Sequence, residues 1–326
     1  MNGLTDIDGI LVGHATDLEA VTGCTAILCP RGAVAGVDVR GAATGSAQLD
    51  VLAPLHSNER IHGICLAGGS AFGLEAGAGV TRFLAGRGIG FPVGAAGVVP
   101  LVPAAILFDL GIAKKGVRPW REMGERAAAA ASAEAVEEGS VGAGTGATVG
   151  KLFGLSRAMK SGIGSATVWL DGPMAGVRVS ALAAVNAFGD VRDPESGHII
   201  AGARVSKDDR EFVDSAYEIK RGARGGGFDF TAKENNTTLV VVATDARLNK
   251  LQAGRLAQQA SIGVAKTISP IWTASDGDLC FALSVGGERE ADPMALGIAA
   301  AEAVAQAIVR AVLRARSLGG VPGLAF

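Results

Sequence analysis

The chain has 326 residues, 48% of them hydrophobic, and its formal net charge at pH 7 is −2. This apolar content suffices for one large core or two modest ones, and the near-neutral charge excludes the basic surface typical of nucleic-acid-binding proteins. The longest uncharged run, residues 88–108, has the length of a membrane span, but three prolines and several glycines interrupt it. We therefore expect a soluble protein that binds neither nucleic acid nor membrane.

The cysteines and the N-terminus indicate a cytoplasmic protein. The four cysteines form no CxxC pair, and no histidine lies at ligand spacing from them, which disfavours a disulfide framework and a zinc site. Buried reduced thiols suit the cytoplasm. The opening residues MNGLTDIDGI lack the basic segment and apolar core of a signal peptide. We expect neither a metal nor a cofactor.

Strand patterns dominate the first part of the chain, and helix patterns follow. The short β-type runs bounded by glycines are TAILC (25–29), AGVDVR (35–40) and GICLAG (63–68). A helix is predicted over 70–86, where Ser70 could cap the free N–H groups of the first turn. Pro119 suits the first position of a second helix, which the Ala-rich sequence extends to about residue 138.

The second half continues with strands, a polar segment and further strands and helices. Strands are predicted in GSATVWL (164–170) and VRVSALAAVNAF (177–188). Residues 190–236 are polar and charged and contain three consecutive glycines, which predicts a mobile linker. The remaining elements are a buried strand in TTLVVVATDA (237–246), a helix at about 247–266, a strand at 279–285 and a helix from Pro293 to Arg316. This order favours a single domain, 1–326, of the α+β or α/β class.

Three partial motifs do not support nucleotide binding or a serine nucleophile. GATVGK (146–151) ends like a phosphate loop, but Thr145 stands at the first glycine position, and Leu152 replaces the hydroxyl that would hold magnesium. GAGTGA (142–147) fits the dinucleotide fingerprint only in its looser form. GGSAF (68–72) lacks the second glycine of the nucleophile elbow.

The segment ENNTTLVVVATDA (234–246) has the features of a self-cleavage site. Thr237 opens a buried strand directly after Asn236 and a polar linker, so its hydroxyl could attack the preceding carbonyl and form an ester that water hydrolyses. The new α-amine, with a reference pKa of about 7.7–8.0, could then act as general base for the same hydroxyl. These residues alone also fit an ordinary strand start, and Thr238 is an alternative first residue.

Five motifs occur in order: GCTAILCPRGAVAGVDVRG, ICLAGGSAFGLEAGAGV, VGAGTGATVGK, NNTTLVVVATDARL and SDGDLCFAL. Together they resemble the family of self-processing L-aminopeptidase/D-amidase-esterases, which includes the β-aminopeptidases. In motif the chain is most similar to the 6-aminohexanoate-oligomer (nylon-oligomer) endohydrolase branch. The resemblance spans roughly residues 5–316 and is weakest over 190–236.

The resemblance implies an α-β-β-α four-layer sandwich of the N-terminal-nucleophile type. It also implies cleavage into an α chain (1–236) and a β chain (237–326) that stay together and assemble as a homo-oligomer, commonly a tetramer of such pairs. The family's nucleophile, a Thr after an Asn, matches Thr237. Its DGD carboxylates match Asp276 and Asp278, where the β-aminopeptidase branch has Ser and Glu. Both carboxylates could orient the Thr amine and hydroxyl, since they share one face of a strand or converge from a turn.

Two further residues and one departure follow from the resemblance. The family's active-site Lys matches Lys151, which could keep the pKa of the Thr amine low. Its strand Asn matches Asn186, which could donate its amide N–H to the tetrahedral oxyanion. Several relatives have a substrate-side Tyr where this chain has Phe108, and the only tyrosine in the sequence is Tyr217. This loss of a hydroxyl concerns the substrate class more than the nucleophile.

The leading prediction is an amide hydrolase that acts through an acyl-Thr intermediate on small linear amides or peptides. Its substrates would be N-terminal aminoacyl amides or ω-amino-acid oligomers. One alternative is an acyltransferase of the ornithine acetyltransferase type, which would pass the acyl group to an amine. The other is an unprocessed, non-catalytic binding protein with the same fold.

Overall fold

The structure, a computed structural model, describes residues 3–223 and 236–325. The described helices are α1 (Glu75–Ala85), α2 (Arg121–Ala129), α3 (Ser215–Lys220), α4 (Lys250–Thr267) and α5 (Pro293–Leu313). The longer strands are β1 (Leu11–Asp17), β2 (Thr22–Val39), β4 (Arg60–Ala67), β10 (Ile163–Trp169), β11 (Arg178–Asn186), β14 (Thr237–Thr244) and β16 (Leu279–Ser284). The short strands are β3 (Ser46–Ala47), β5 (Phe91–Pro92), β6 (Val98–Val99), β7 (Ala104–Ile106), β8 (Thr148–Val149), β9 (Met159–Lys160), β12 (Asp190–Arg192), β13 (Ile199–Ala201) and β15 (Ile268–Ser269).

Four layers stack with three apolar cores between them. The middle core lies between two sheets and takes Ile64 from one sheet and Phe281 from the other. Helices α4 and α5 pack on the outer face of the sheet that contains β10, β11, β14 and β16, and α1 and α2 pack on the outer face of the other sheet. Along β14 the alternation of a strand sends Leu239 into the middle core and Val240 towards the α4/α5 core. The predicted α-β-β-α sandwich is confirmed.

Strand β2 joins the two sheets. Its first half pairs with β1 and β4 and its second half with β16, and its register against β4 shifts between Leu28 and Ala33. The strand order is therefore continuous, β10-β11-β14-β16-β2-β4-β7-β3, although the chain occupies two layers. In the second half, Gly36 lies against α4, where an added Cβ would be 2.2 Å from the Gly254 nitrogen. Only glycine allows this approach of helix and sheet.

The positions of β14 and β16 are fixed by α4 and α5. The two strands are parallel neighbours, and a parallel pair needs a crossover, which α4 supplies. Asn249 and Gln252 form a capping box at its start, and Asp292 caps α5 ahead of Pro293. Helix α5 has the length and apolarity of a membrane span, but 67% of its apolar window is buried inside the protein, as in a core helix.

Two local predictions are wrong because tertiary contacts override the local sequence. Ser70 does not cap a helix: it has a φ of +56°, and its N–H donates to the carbonyl of Leu107. The second helix ends at Ala129 and does not reach residue 138. There Ser132 and Val12 exchange two backbone hydrogen bonds, of 3.0 and 3.1 Å, which hold the chain extended beside β1.

The segment 190–236, predicted as a mobile linker, holds β12, β13 and α3 in its first part. Buried Asp190 joins these elements, since its carboxylate accepts hydrogen bonds from the Ala203 and Ser215 nitrogens and from the Ser215 hydroxyl at 2.8–2.9 Å. The prediction missed this order because the stabilising group is one carboxylate within a polar sequence. Residues 224–235 lie outside the described residues, and for them the linker stays a prediction.

Candidate active site

Three neighbouring strands bring the predicted site residues to one place. Asn186, the last residue of β11, is paired with Thr237, the first residue of β14. On the other side of β14 the register aligns Leu239 with Leu279, and a parallel bridge extends this pairing to Asn236 and Asp276. The DGD turn that precedes β16 therefore lies beside the junction of residues 236 and 237.

The Asn236–Thr237 junction is buried and held on both sides. Thr237 is 2% exposed, and its hydroxyl donates a hydrogen bond to the Asn236 carbonyl oxygen at 2.6 Å. The Gly277 N–H donates to the same oxygen, also at 2.6 Å, while the Asn236 N–H donates to the Ser275 carbonyl at 3.0 Å. The Thr237 hydroxyl oxygen thus lies next to the carbonyl group that the predicted self-cleavage would attack.

Lys151 extends from the Gly-rich turn towards this junction. Its ammonium donates to the backbone and side-chain oxygens of Asn186 at 3.0 and 2.8 Å, and to the Asn236 side-chain oxygen at 3.1 Å. The turn needs glycine at Gly150, which has a φ of +70° and where a Cβ would lie 2.0 Å from the Gly202 carbonyl carbon. The sequence that ends like a phosphate loop therefore delivers a lysine to the site.

The amide of Asn186 has a defined orientation. Its oxygen accepts from Lys151 and from the Thr148 N–H at 3.0 Å, so its nitrogen faces the Phe108 carbonyl and donates to it at 2.9 Å. An amide nitrogen carries two hydrogens, and the bond to Phe108 uses one of them. The predicted oxyanion donation would require the second hydrogen.

The two acids of the DGD turn are buried, at 1% and 3% exposed for Asp276 and Asp278. Asp276 accepts a hydrogen bond from the Thr273 N–H at 2.6 Å, and Asp278 accepts from the Thr238 N–H. The other oxygen of each carboxyl has no partner of good hydrogen-bond geometry among the residues described. The acids lie in a turn, which is one of the two arrangements that the sequence allowed.

Burial favours the protonated form of both acids. Desolvation, followed by the neighbouring Asp276 carboxylate, raises the pKa of Asp278 to about 8, and desolvation also raises the pKa of Asp276. Asp278 is therefore protonated at neutral pH. A pair of carboxyls that holds a proton near neutral pH can accept or return one during acyl transfer.

A narrow cleft of about 10 Å³, room for about one water molecule, adjoins Lys151. Its lining residues are Phe108, Asp109, Gly111, Ile112, Gly146, Thr148, Lys151 and Leu155. Phe108, the residue that departs from the family pattern, thus lies at the site. Among residues 3–223 and 236–325, no group of three or more His, Cys, Asp or Glu side chains could hold a metal.

Two buried charged residues, one of which lines the cleft, were missed. Lys160 is fully buried, and its ammonium donates to the carbonyls of Gly144, Ala147 and Ser161 at 2.5–3.2 Å. Asp109 is 1% exposed and accepts from the Thr22 hydroxyl at 2.6 Å and from a backbone N–H. Apart from Ser161, the partners of these two residues lie 13 to 87 residues away in the sequence, so no local motif could indicate them.

Comparison with known proteins identifies the family of the chain. The chain matches peptidase family S58 over residues 2–325. It is 36% identical to an uncharacterized aminopeptidase of Mycobacterium tuberculosis, covering 99% of this chain and 96% of the relative. It is 30% identical to the 6-aminohexanoate-oligomer endohydrolase of Kocuria sp., covering 86% and 74%.

Solved structures share the fold. The L-aminopeptidase D-Ala-esterase/amidase of Ochrobactrum anthropi, described as a variant of the Ntn hydrolase fold, has a TM-score of 0.73 at 21% identity, covering 98% of this chain and 88% of that one. A Burkholderia β-aminopeptidase has a TM-score of 0.68 at 24% identity, covering 99% and 91%. The chain belongs to peptidase family S58 and is a hydrolase of amide bonds.

Proposed function

We propose that the chain cleaves itself between Asn236 and Thr237, and that Thr237 then hydrolyses small linear amides through an acyl-Thr ester. The observation that carries this proposal is the buried Thr237 hydroxyl, which lies 2.6 Å from the carbonyl oxygen of the preceding residue. A strand that simply began at Thr237 would not need this contact. It would also not need the buried lysine and the two buried acids that surround the junction.

Self-cleavage proceeds in two steps. The Thr237 oxygen bonds to the Asn236 carbonyl carbon, its proton passes to a neighbouring base, and the bond from that carbon to the Thr237 nitrogen breaks as the nitrogen gains a proton. Water then hydrolyses the ester, which leaves a carboxylate on Asn236 and a free hydroxyl and α-amine on Thr237. Asp276 and Asp278 are the groups in the turn beside this junction that can exchange the protons.

Turnover repeats this chemistry on a substrate. The α-amine of Thr237 takes the hydroxyl proton, and the DGD carboxyls hold the amine and return the proton to the leaving group. The charge on Lys151 disfavours protonation of the amine and so keeps its pKa low. The second N–H of Asn186 stabilises the oxyanion of the tetrahedral intermediate.

The cleft beside Lys151 has a volume of about 10 Å³ and must widen to take the acyl group of a substrate. Phe108, Ile112 and Leu155 supply apolar walls, and Lys151 also lines the cleft. The names of the relatives indicate two candidate substrate classes. These are aminoacyl amides, as for an aminopeptidase, and ω-amino-acid oligomers. The two cleaved chains would remain in one fold, because β14 pairs with β11 along its whole length. Assembly as a cytoplasmic tetramer of such pairs belongs to the same proposal.

Replacement of one hydroxyl tests the proposal. Thr237→Ala should abolish both cleavage and amide hydrolysis, and Thr237→Ser should retain part of each, because Ser keeps the oxygen but loses the methyl that restricts its rotamer. The matched control is Thr238→Val, which changes the adjacent threonine at nearly constant shape and should still cleave before residue 237. Amide hydrolysis at the unsubstituted rate by Thr237→Ala would refute the proposal. If Thr238→Val failed to cleave while Thr237→Ala still cleaved, the cleavage site would lie before Thr238 instead.

A further inference from the structure

We infer that the backbone N–H of Gly277 is the oxyanion donor for self-cleavage, an inference that rests on the proposed function. Its basis is the hydrogen bond of 2.6 Å from this N–H to the Asn236 carbonyl oxygen. That oxygen becomes negatively charged when Thr237 attacks. A donor already placed on the atom where charge develops stabilises the transition state without rearrangement.

The donor is fixed relative to the scissile carbonyl. The Asn236 N–H donates to the Ser275 carbonyl at 3.0 Å, and the Gly277 N–H returns a bond to the Asn236 carbonyl. These two bonds form the parallel bridge between Asn236 and Asp276. The DGD turn and the peptide to be cut are therefore held as one unit, and the N–H remains aligned while the carbonyl carbon becomes tetrahedral.

The space around Gly277 explains why glycine separates the two acids. An added Cβ would lie 2.8 Å from the Thr237 hydroxyl oxygen and 2.9 Å from the Ala43 carbonyl oxygen. A side chain at this position would displace the nucleophile or the turn. Glycine therefore lets the donor N–H approach the carbonyl while the attacking oxygen stays next to it.

Two nearby side-chain donors bond to other oxygen atoms. Lys151 donates to the side-chain oxygen of Asn236, and the Asn186 nitrogen donates to Phe108. The Thr237 hydroxyl also donates to the scissile carbonyl, but it loses that proton as its oxygen bonds to the carbon. The Gly277 N–H keeps its hydrogen bond to this oxygen through the step. The hydrogen bond shortens as the oxygen becomes negatively charged, and it lengthens again when the carbon–nitrogen bond breaks and the ester carbonyl forms.

Replacement of the Gly277 nitrogen by oxygen tests this role without adding a side chain. The full chain is made by cell-free translation with glycolic acid at residue 277, which converts one amide to an ester, and cleavage is followed by intact mass over time. Loss of one oxyanion donor should slow cleavage about 10²–10³-fold.

The matched control is Ala43→lactic acid. An ester at 277 also weakens the Asp276 carbonyl as an acceptor, and the N–H of Ala43 donates to that same carbonyl at 2.9 Å. The control removes this bond but leaves the donor to Asn236, and it should slow cleavage less than tenfold. Rates for the two esters within threefold of each other would overturn the inference. Absence of cleavage in the unsubstituted chain would instead overturn the proposed function.

Hydrogen exchange gives a second readout that needs no ester. In the uncleaved Thr237→Ala chain, the Gly277 amide should exchange far more slowly than an unstructured amide, because its hydrogen bond to Asn236 persists. Exchange at the unstructured rate, in a chain whose β14 amides remain protected, would contradict the placement of the donor.

Discussion

Substitution of Lys160 by methionine tests how the Gly-rich turn that carries Lys151 is held. The Lys160 ammonium donates to three carbonyls, two of which, Gly144 and Ala147, belong to that turn. A hydrogen bond contributes about 0.5–1.5 kcal/mol net to stability. Methionine fills similar space without a donor. At pH 9, where the neutral amine of Lys160 keeps two donor hydrogens, Lys160→Met should therefore lower the free energy of unfolding by about 1–3 kcal/mol.

The loss should grow with pH. Burial lowers the pKa of Lys160 to about 7, with nearby Asp109 raising it and Lys151 lowering it further. The unfolded chain keeps its lysine proton to about pH 10.4, so between pH 7 and about 10 the unfolded state binds more protons and the parent gains about 1.4 kcal/mol per pH unit. Methionine cannot titrate. The effect of the substitution should thus be about 2–3 kcal/mol larger at pH 9 than at pH 7.

Urea unfolding followed by tryptophan fluorescence measures both effects. Parent and variant both carry Thr237→Ala, so that one uncleaved chain unfolds. The control is Lys266→Met, which removes an exposed lysine of α4 and should change stability by less than about 0.5 kcal/mol at either pH. If Lys160→Met costs no more than this control at pH 9, or costs the same at pH 7 and pH 9, the assigned role of Lys160 is wrong.

Three further predictions concern the acids and Phe108. Asp276→Ala and Asp278→Ala should each lower kcat about 10²–10⁴-fold with a smaller effect on urea midpoints, and near-parental kcat in both would make the DGD turn structural. Because the folded pKa of Asp278 is raised to about 8, the folded state holds a proton that the unfolded chain has already lost, and the uncleaved chain should lose stability as pH rises from about 4 to 8. Asp278→Asn should flatten that slope in urea titrations at pH 5 and pH 7, and an unchanged slope would contradict the shift. Phe108→Tyr should change Michaelis constants more than kcat on a p-nitroanilide and a 6-aminohexanoate oligomer, whereas a rise in kcat of about 10²–10³-fold on both would show that the missing hydroxyl limits catalysis.

The local sequence predicts a helix or strand correctly where no contact with a distant segment overrides it. The largely β-branched run after Asn236 is a buried strand, Thr237–Thr244, as its composition indicates. The Ala-rich run after Arg121 predicts a helix to about residue 138, but the helix ends at Ala129. The pairing of Ser132 with Val12 outweighs helix propensity beyond that residue. Such a contact joins segments more than one hundred residues apart, and no local window contains it.

The sequence names the predicted site residues but does not indicate how they are arranged. The order of the family motifs indicated Thr237, Lys151 and the DGD acids, and the register of three strands brings them together. Two features depend on that register alone. They are the contact of the Gly277 N–H with the scissile carbonyl and the orientation of the Asn186 amide, whose nitrogen faces Phe108.

Self-cleavage before Thr237 is the central claim, and the masses and N-terminal sequences of the purified protein test it most directly. Under denaturing conditions the protein should separate into one chain that ends at Asn236 and a second that ends at Phe326. Sequencing of the second chain should begin Thr-Thr-Leu-Val. A single intact chain with full amide-hydrolase activity, or a second chain that begins at Thr238, would contradict the claim.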